Sequence, residues 1–435
     1  MPQLSRRTGL ILGALALPFA VVTCGKSGTA PKTSAANTTL TILAGNNLPG
    51  LVGFRTNVRP AVVVRDSNGA VLPGATVTFS VASGGGSVTS GVVTSNAAGV
   101  AQVGGWTLGG SAGVNTLKAT VSGAGLSSLP VTFTDTALAA GFTIQIRYYG
   151  PAPNAATQAA MTAAVARWQQ IIYRPITPIA INTDTGLCAP GTPAISQTVS
   201  NLLILATFDS IDGPGKVLGQ AGPCLVRSNG PSNGLTAVGV MEFDTADVAN
   251  LIASSQLNEV MLHEMGHVLG FGTLWDNAPF SWLHLSSSPP GTILDTYFNG
   301  PHALAAFDSL GGASYTGASL TPPGGNKVPV ENCGASSPAG CGAGTVNGHW
   351  REPVFGNELM TGYVNSGVNP LSVVSIAAQE DLGYTVNYAA ADTYTHTFTA
   401  PAAGGAAPLF LGNDIRRGPL YAVDAAGRMA LVRRR

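Results

Sequence analysis

Residues His263-Glu264-Met265-Gly266-His267-Val268-Leu269-Gly270 spell H-E-x-x-H-x-x-G, and no other stretch restricts its own conformation so tightly. For both imidazoles to serve one site the segment must be a helix, where positions i and i+4 share a face. In that geometry they reach a single zinc ion while Glu264 leans over the ion's open side. The five-letter pattern also arises on ordinary amphipathic helices, so its neighbours decide. Val260, Met261, Leu262, Met265, Val268 and Leu269 surround the polar residues with apolar side chains and predict deep burial. Two histidines and a glutamate buried there without a metal would be costly to leave unpaired. Gly270 falls where such a helix stops, since glycine reaches the left-handed conformation that ends it. The expectation is the helix of a zinc-dependent peptidase.

The remainder of the 435 residues is more than one ordinary core needs, and two or three domains are expected. With 10% charged residues and zero net charge, the chain has no basic face for nucleic acid or an anionic surface. Its 56 glycines and 29 prolines point to many turns and a β-rich, exported protein. Residues 1–24 read as a signal peptide: Arg6 and Arg7 precede the apolar run from Leu10 to Val22, which is too short to span a bilayer comfortably. Val21-Val22-Thr23-Cys24 resembles a bacterial lipoprotein cleavage box, making Cys24 a lipidation candidate; plain secretion is the alternative. The expected location is therefore outside the cytoplasm, either on the bacterial cell envelope through a lipid or secreted. Four cysteines remain, and an even count in an exported chain argues for disulfides; they stand in two local pairs, Cys188 with Cys224 and Cys333 with Cys341, with other pairings possible on paper.

Residues 25–38, rich in Ser, Thr, Ala and Gly, read as a linker. From 39 to 137 short alternating runs are punctuated by turns. Val77, Phe79 and Val81 alternate with Thr76, Thr78 and Ser80, and turn signals stand at Ser67-Asn68-Gly69, Leu72-Pro73-Gly74, Gly84-Gly85-Gly86 and Ala98-Gly99. This spacing predicts a β-sandwich. Asp66-Ser67-Asn68-Gly69 with Pro73-Gly74, Val77-Thr78-Phe79, Thr94 to Gly99 and Gly113 to Ala119 resembles the bacterial immunoglobulin-like repeat of invasin- and intimin-type surface proteins. That resemblance implies a spacer or adhesive module with a surface partner.

From Phe142 the pattern becomes mixed. Thr143 to Tyr148 alternates as a strand; Met161, Val165, Trp168 and Ile172 mark one face of a helix capped by Asn154; Asn201 to Ala206 and Val238 to Phe243 read as strands. Residues Asp212 to Cys224 read as a glycine-rich loop, and Asp244 as the cap of a short helix before the one carrying His263. The order places the metal helix behind a sheet, with one sheet edge free to align an extended peptide.

A catalytic zinc needs three protein ligands and one open position. Three residues past Gly270 stands Thr273, so the third ligand lies elsewhere; Asp276, His284, His302, His349 and Glu358 are the downstream candidates. His349 stands in Gly348-His349-Trp350-Arg351-Glu352, followed by Asn357-Glu358-Leu359-Met360-Thr361-Gly362, a methionine on a tight turn of the kind that lies beneath the zinc of metzincins. The whole segment is similar to the leishmanolysin-like metallopeptidases. Besides these motifs the matching stretches are Trp168 to Ile172, Asp212 to Gly215, Leu218 to Pro223, Phe243-Asp244, Phe271 to Trp275 and Ala377 to Tyr384, together covering about residues 141–390. The resemblance implies His349 as third ligand, Met360 as the supporting turn residue, and a long insertion between His267 and His349. It supplies no cysteine that would block the zinc from a pro-segment, and an immunoglobulin-like module stands where a pro-segment would be.

The expected fold class is thus multidomain: an all-β immunoglobulin-like sandwich at 39–137, an α+β metzincin-type zinc peptidase domain at 141–390, and a β appendage at 391–435. The expected activity is peptide-bond hydrolysis. His263, His267 and His349 would hold one catalytic Zn2+, Glu264 would serve as general base, and the substrate would be a protein or peptide. Two other readings stand beside it. One is a surface adhesin whose zinc domain is scaffold; the other is a structural zinc domain, which requires a fourth protein ligand.

Overall fold

The computed structural model describes residues 36–123, 126–286, 294–315, 327–332, 345–396, 398 and 409–433. The signal peptide with Cys24, most of the linker, and both Cys333 and Cys341 lie outside these residues. The described chain is multidomain and mostly β, with few helices.

The first domain has two facing sheets. One has five strands in the order Pro49–Leu51, Val131–Leu138, Gly113–Ser122, Thr76–Ser83 and Val92–Thr94; the other has three, in the order Thr39–Ala44, Ala61–Arg65 and Val100–Gln102. Alternation explains the core. Val77 and Phe79 from one sheet and Val62 and Val64 from the other point inward with Trp106, Leu117 and Phe133, and all are buried. The arrangement is consistent with an immunoglobulin-like sandwich. The expected linker ends earlier than 38, because Ala36–Asn37 already pairs in parallel with Leu126–Ser127.

The second domain is organised on a six-stranded sheet. Its elements in chain order are β1 (Ile144–Tyr148), α1 (Ala155–Ile171), β2 (Leu202–Asp209), β3 (Gly219–Arg227), β4 (Thr236–Asp244), α2 (Thr245–Ala253), α3 (Leu257–Leu269), α4 (Pro301–Ser309), α5 (Val373–Asp381), β5 (Leu420–Val423) and β6 (Met429–Arg433). The spatial order is β1-β2-β4-β3-β5-β6. β1, β2 and β4 run parallel, and β3 is antiparallel to β4. The caps follow the residues expected to make them: Asn154 Oδ1 accepts the Thr157 N–H at 2.9 Å, and Asp244 Oδ1 accepts the Ala246 N–H at 2.8 Å. One face of the sheet carries α1 and α3 over a large apolar core. The other carries a hairpin, Ile179–Thr183 with Ile195–Val199, over a smaller core. Cys188 and Cys224 form a disulfide that ties this hairpin region to β3. The two domains touch through Asn57, whose Nδ2 donates to Val386 O at 2.9 Å and whose Oδ1 accepts the Tyr388 N–H at 3.0 Å.

Two expectations are corrected. Part of the stretch read as a loop, Gly219 to Cys224, belongs to strand β3; Pro223 is tolerated because the register of β3 on β4 shifts between Pro223 and Leu225. The sheet edge is not free at β3. β5 runs parallel along β3 through Leu225↔Tyr421, Val226↔Ala422 and Arg227↔Val423, and Ile415 bridges Ala221 in the same sense. The described residues after 390 are therefore no separate appendage: Leu420–Val423 and Met429–Arg433 extend the main sheet, and Leu409–Phe410 pairs with Tyr363–Val364.

Candidate metal centre

Helix α3 places His263 and His267 one turn apart and Glu264 beside them, all fully buried. Gly270 ends the helix at φ 114°, a left-handed conformation. Gly266, inside the motif, is required by close packing: a Cβ there would meet Met360 Cε at 2.8 Å and Met360 Sδ at 3.1 Å. Met360 thus lies directly under the motif. On the same side Trp168 Nε1–H donates to Leu262 O at 2.9 Å and locks α1 to α3.

His349 arrives from a turn far along the chain, and a hydrogen-bonded network holds it. The Trp350 N–H donates to Met360 O at 3.0 Å, and Trp350 Nε1–H to Ser375 Oγ at 2.9 Å. Ser375 Oγ–H in turn donates to Glu358 Oε1 at 2.6 Å, while Glu358 Oε2 accepts the Met360 N–H at 2.6 Å. Glu358, one of the five candidate ligands, is therefore the brace of the methionine turn and not a ligand.

Each imidazole has its Nδ1 against a main-chain carbonyl: His263 on Leu359 O at 2.7 Å, His267 on Phe271 O at 2.9 Å, His349 on Thr345 O at 2.9 Å. A carbonyl only accepts, so each Nδ1 carries a proton, and in the neutral ring each Nε2 presents a lone pair. The three Nε2 atoms converge: 2.8 Å between His267 and His263, 2.9 Å between His267 and His349, 3.2 Å between His263 and His349. Three lone pairs facing one point cannot satisfy one another. A cation at the centre resolves the conflict, and a tetrahedral ion with bonds of about 2.0–2.1 Å keeps its ligand atoms about 3.3 Å apart. The group could hold a metal ion.

Asp414 was not foreseen. Its Oδ2 lies 3.0 Å from His349 Nε2, 3.2 Å from His263 Nε2 and 3.9 Å from His267 Nε2, so a fourth ligand atom faces the same point. Burial alone would raise its pKa, but the adjacent His349 and His263 hold the carboxyl far below the usual range. His349 is correspondingly raised: burial lowers it, and the Asp414 carboxylate outweighs that. Burial lowers His263 and His267. Glu264 is the odd member. Among the described residues neither of its oxygens has a hydrogen-bond partner, and burial, then the nearby Asp414 charge, raise its pKa well above the ordinary value. A dication beside it would reverse that preference.

The other candidates go elsewhere. His302 Nδ1 pairs with Asp381 Oδ1 at 2.9 Å, His284 stacks on Tyr297, and Asp276 lines a separate surface cleft. Thr273, where a compact motif would have its third histidine, donates Oγ1–H to His267 O at 2.7 Å.

No family model matches the chain. No curated protein matches it either. Among solved structures the D00-D0 domain of Intimin is similar at 18% identity with a TM-score of 0.17, covering 25% of this chain and 50% of the intimin chain. A likeness this slight carries no argument about fold or activity; those rest on the geometry above.

Proposed function

We propose that the second domain is a metzincin-type, leishmanolysin-like zinc peptidase, with His263, His267 and His349 as ligands, Met360 beneath them and Glu264 as general base. Glu264 carries the reading: a fully buried carboxylate, both oxygens unpartnered, beside three converging imidazole lone pairs. Such a group is costly unless it has work to do. A bound Zn2+ supplies a Lewis acid that acidifies water and polarises a carbonyl. Glu264 accepts the water's proton and then delivers it to the departing amine, base first and acid second. The Nδ1–carbonyl bonds keep the three imidazoles oriented, and the apolar shell of α3 excludes bulk water. The substrate is a protein or peptide. The Cys188–Cys224 bridge supports an oxidising, exported setting. No described helix is long and apolar enough to cross a membrane. The chain would be either held on the cell envelope by a lipid on Cys24 or secreted.

Asp414 favours a second reading, a structural zinc site, because four protein ligands close the coordination. That reading leaves Glu264 without a purpose. Digestion of casein or gelatin, with and without a zinc chelator, separates the two, using Glu264→Gln and Asp414→Ala chains alongside the parent. Chelator-sensitive cleavage that falls roughly 10²–10⁴-fold in Glu264→Gln, with metal still bound, is the peptidase outcome. Metal binding with no cleavage by any of the three chains is the structural one.

A further inference from the structure

We propose that residues 409–418 are a built-in inhibitor that occupies the peptidase cleft, and that the cleft beneath selects peptides with a basic side chain. The inference rests on the peptidase reading and adds its regulation and substrate class.

The segment is seated along its whole length. Leu409 and Phe410 pair with Val364 and Tyr363, the Leu411 N–H donates to Gly362 O at 3.2 Å, and Thr345 Oγ1–H donates to Gly412 O at 2.7 Å. Asp414 then turns its carboxylate to the metal position. Its own carbonyl accepts the Ala221 N–H at 2.8 Å, and the Arg416 N–H donates to Ala221 O at 2.9 Å, so the segment joins β3 through a single parallel bridge, Ile415 on Ala221. Ile415 packs so closely on Gly348, next to His349, that a Cβ there would lie 1.9 Å from its Cδ1. This is how an extended peptide is held by a sheet edge: main-chain bonds supply affinity and alternate side chains enter pockets.

What the segment lacks is a scissile bond in the reactive position. A side-chain carboxylate, not a peptide carbonyl, faces the three imidazoles, and the Asp414 carbonyl is already used by Ala221. The segment fills the place of substrate and water without being cut. Being covalently tethered, it acts at an effective concentration of roughly millimolar and needs only modest intrinsic affinity.

Arg416 leaves an imprint. Its side chain is 6% exposed and reaches Glu242 Oε2 at 3.6 Å, while Glu242 Oε1 accepts from the Tyr149 hydroxyl at 3.2 Å. The cleft around it, about 460 Å³, includes Thr207, Asp209, Gln220 and Glu242; apart from the tail's own Arg416 and Arg417, its lining holds two carboxylates and no cation. Once the segment leaves, that wall is uncompensated and a lysine or arginine of a substrate restores the balance.

The test uses full-length, metal-loaded protein: wild type, Asp414→Ala, the closer-shaped Asp414→Asn, and Asp414→Ala combined with Glu242→Gln. Amide exchange at Ala221 and Arg416 reports the seating of the segment, the visible spectrum of the cobalt-loaded protein reports the fourth ligand, and cleavage of a peptide library reports rate and preference. Expected are loss of protection at both amides, a changed cobalt spectrum, and cleavage faster by roughly tenfold to a hundredfold in both single variants, as for a site closed 90–99% of the time. Preference for lysine or arginine is expected in Asp414→Ala and lost on adding Glu242→Gln. Wild type cleaving as fast as Asp414→Ala overturns the inhibitor and leaves the peptidase standing. A cobalt spectrum that opens in Asp414→Ala with no cleavage of any peptide overturns the peptidase itself. Metal release from both Asp414 variants makes Asp414 a structural ligand and overturns the inhibitor. Flat side-chain preference in Asp414→Ala overturns the assignment of the cleft.

Discussion

The sandwich core and the metal centre bury polar groups for opposite reasons. In the sandwich they serve the backbone: Asn115 Oδ1 accepts the Gly109 N–H at 2.9 Å while its Nδ2 donates to Gly113 O, and Ser95 Oγ bridges Ala75 and Leu72. In the second domain the buried His263, His267, His349, Glu264 and Asp414 face one another across a single point, and Glu264 has no partner. The first pattern is a fold satisfying its own amides; the second accepts local conflict that an added ion would relieve. Stability and chemistry should therefore separate along the chain.

The sharpest break of that separation is a core deletion in the sandwich. Phe133 is fully buried against Phe79, and Phe133→Ala should cost the sandwich about 3–5 kcal/mol while leaving metal affinity and cleavage unchanged. Denaturant unfolding with a metal-binding titration checks both halves; a fall in metal affinity would show that the domains are coupled through the Asn57 contacts. The converse perturbation is metal. At a thousandfold excess over its dissociation constant, Zn2+ should stabilise the second domain by about 4 kcal/mol and leave the sandwich transition where it was. Calorimetry should resolve the two transitions, and in His349→Ala the shift should largely disappear. A smaller effect belongs to the scaffold of the site domain. Cys188→Ser with Cys224→Ser removes the tie between the hairpin region and β3 and should cost about 2–4 kcal/mol, with cleavage retained at temperatures where the domain stays folded.

The parts that could be read in advance are those whose meaning is local. Alternation at Val77 and Phe79 names a half-buried strand, Asn154 and Asp244 name caps, and the i,i+4 spacing of His263 and His267 names a shared helix face. His349 and Met360 were legible as a pair, a histidine followed by a methionine turn, although no spacing rule tied them to the helix. Asp414 was not. Nothing around Gly412-Asn413-Asp414 distinguishes it from any turn aspartate; its role arises because β5 returns to the edge of β3 and carries the preceding residues across the three imidazoles. β3 was hidden for a related reason. Gly219, Gly222 and Pro223 look like loop chemistry, yet Gly222 is where the tail's backbone comes near, and a Cβ there would meet Arg416 O at 2.9 Å. Long-range pairing decided both, and local preference is silent about it.

The finest test of the comparison lies in the sandwich's own exception. Asp135 is buried, its Oδ1 accepts the Leu48 N–H at 2.9 Å, and its Oδ2 has no partner. Burial raises its pKa to about 6, only partly offset by that hydrogen bond. In the unfolded chain the group returns to the ordinary aspartate value, so between about pH 4 and pH 6 the folded state holds the extra proton. Stability must therefore fall as pH rises through that window, by about 1 kcal/mol or less once solvent screening is allowed for. Asp135→Asn keeps the shape and cannot ionise, so it should flatten the slope of the sandwich transition between pH 4 and 6. The second domain's transition should keep its own pH dependence in that variant. A sandwich slope that survives Asp135→Asn would mean that the carboxylate is solvated in the folded state, and that the sandwich holds no buried acid to set against Glu264.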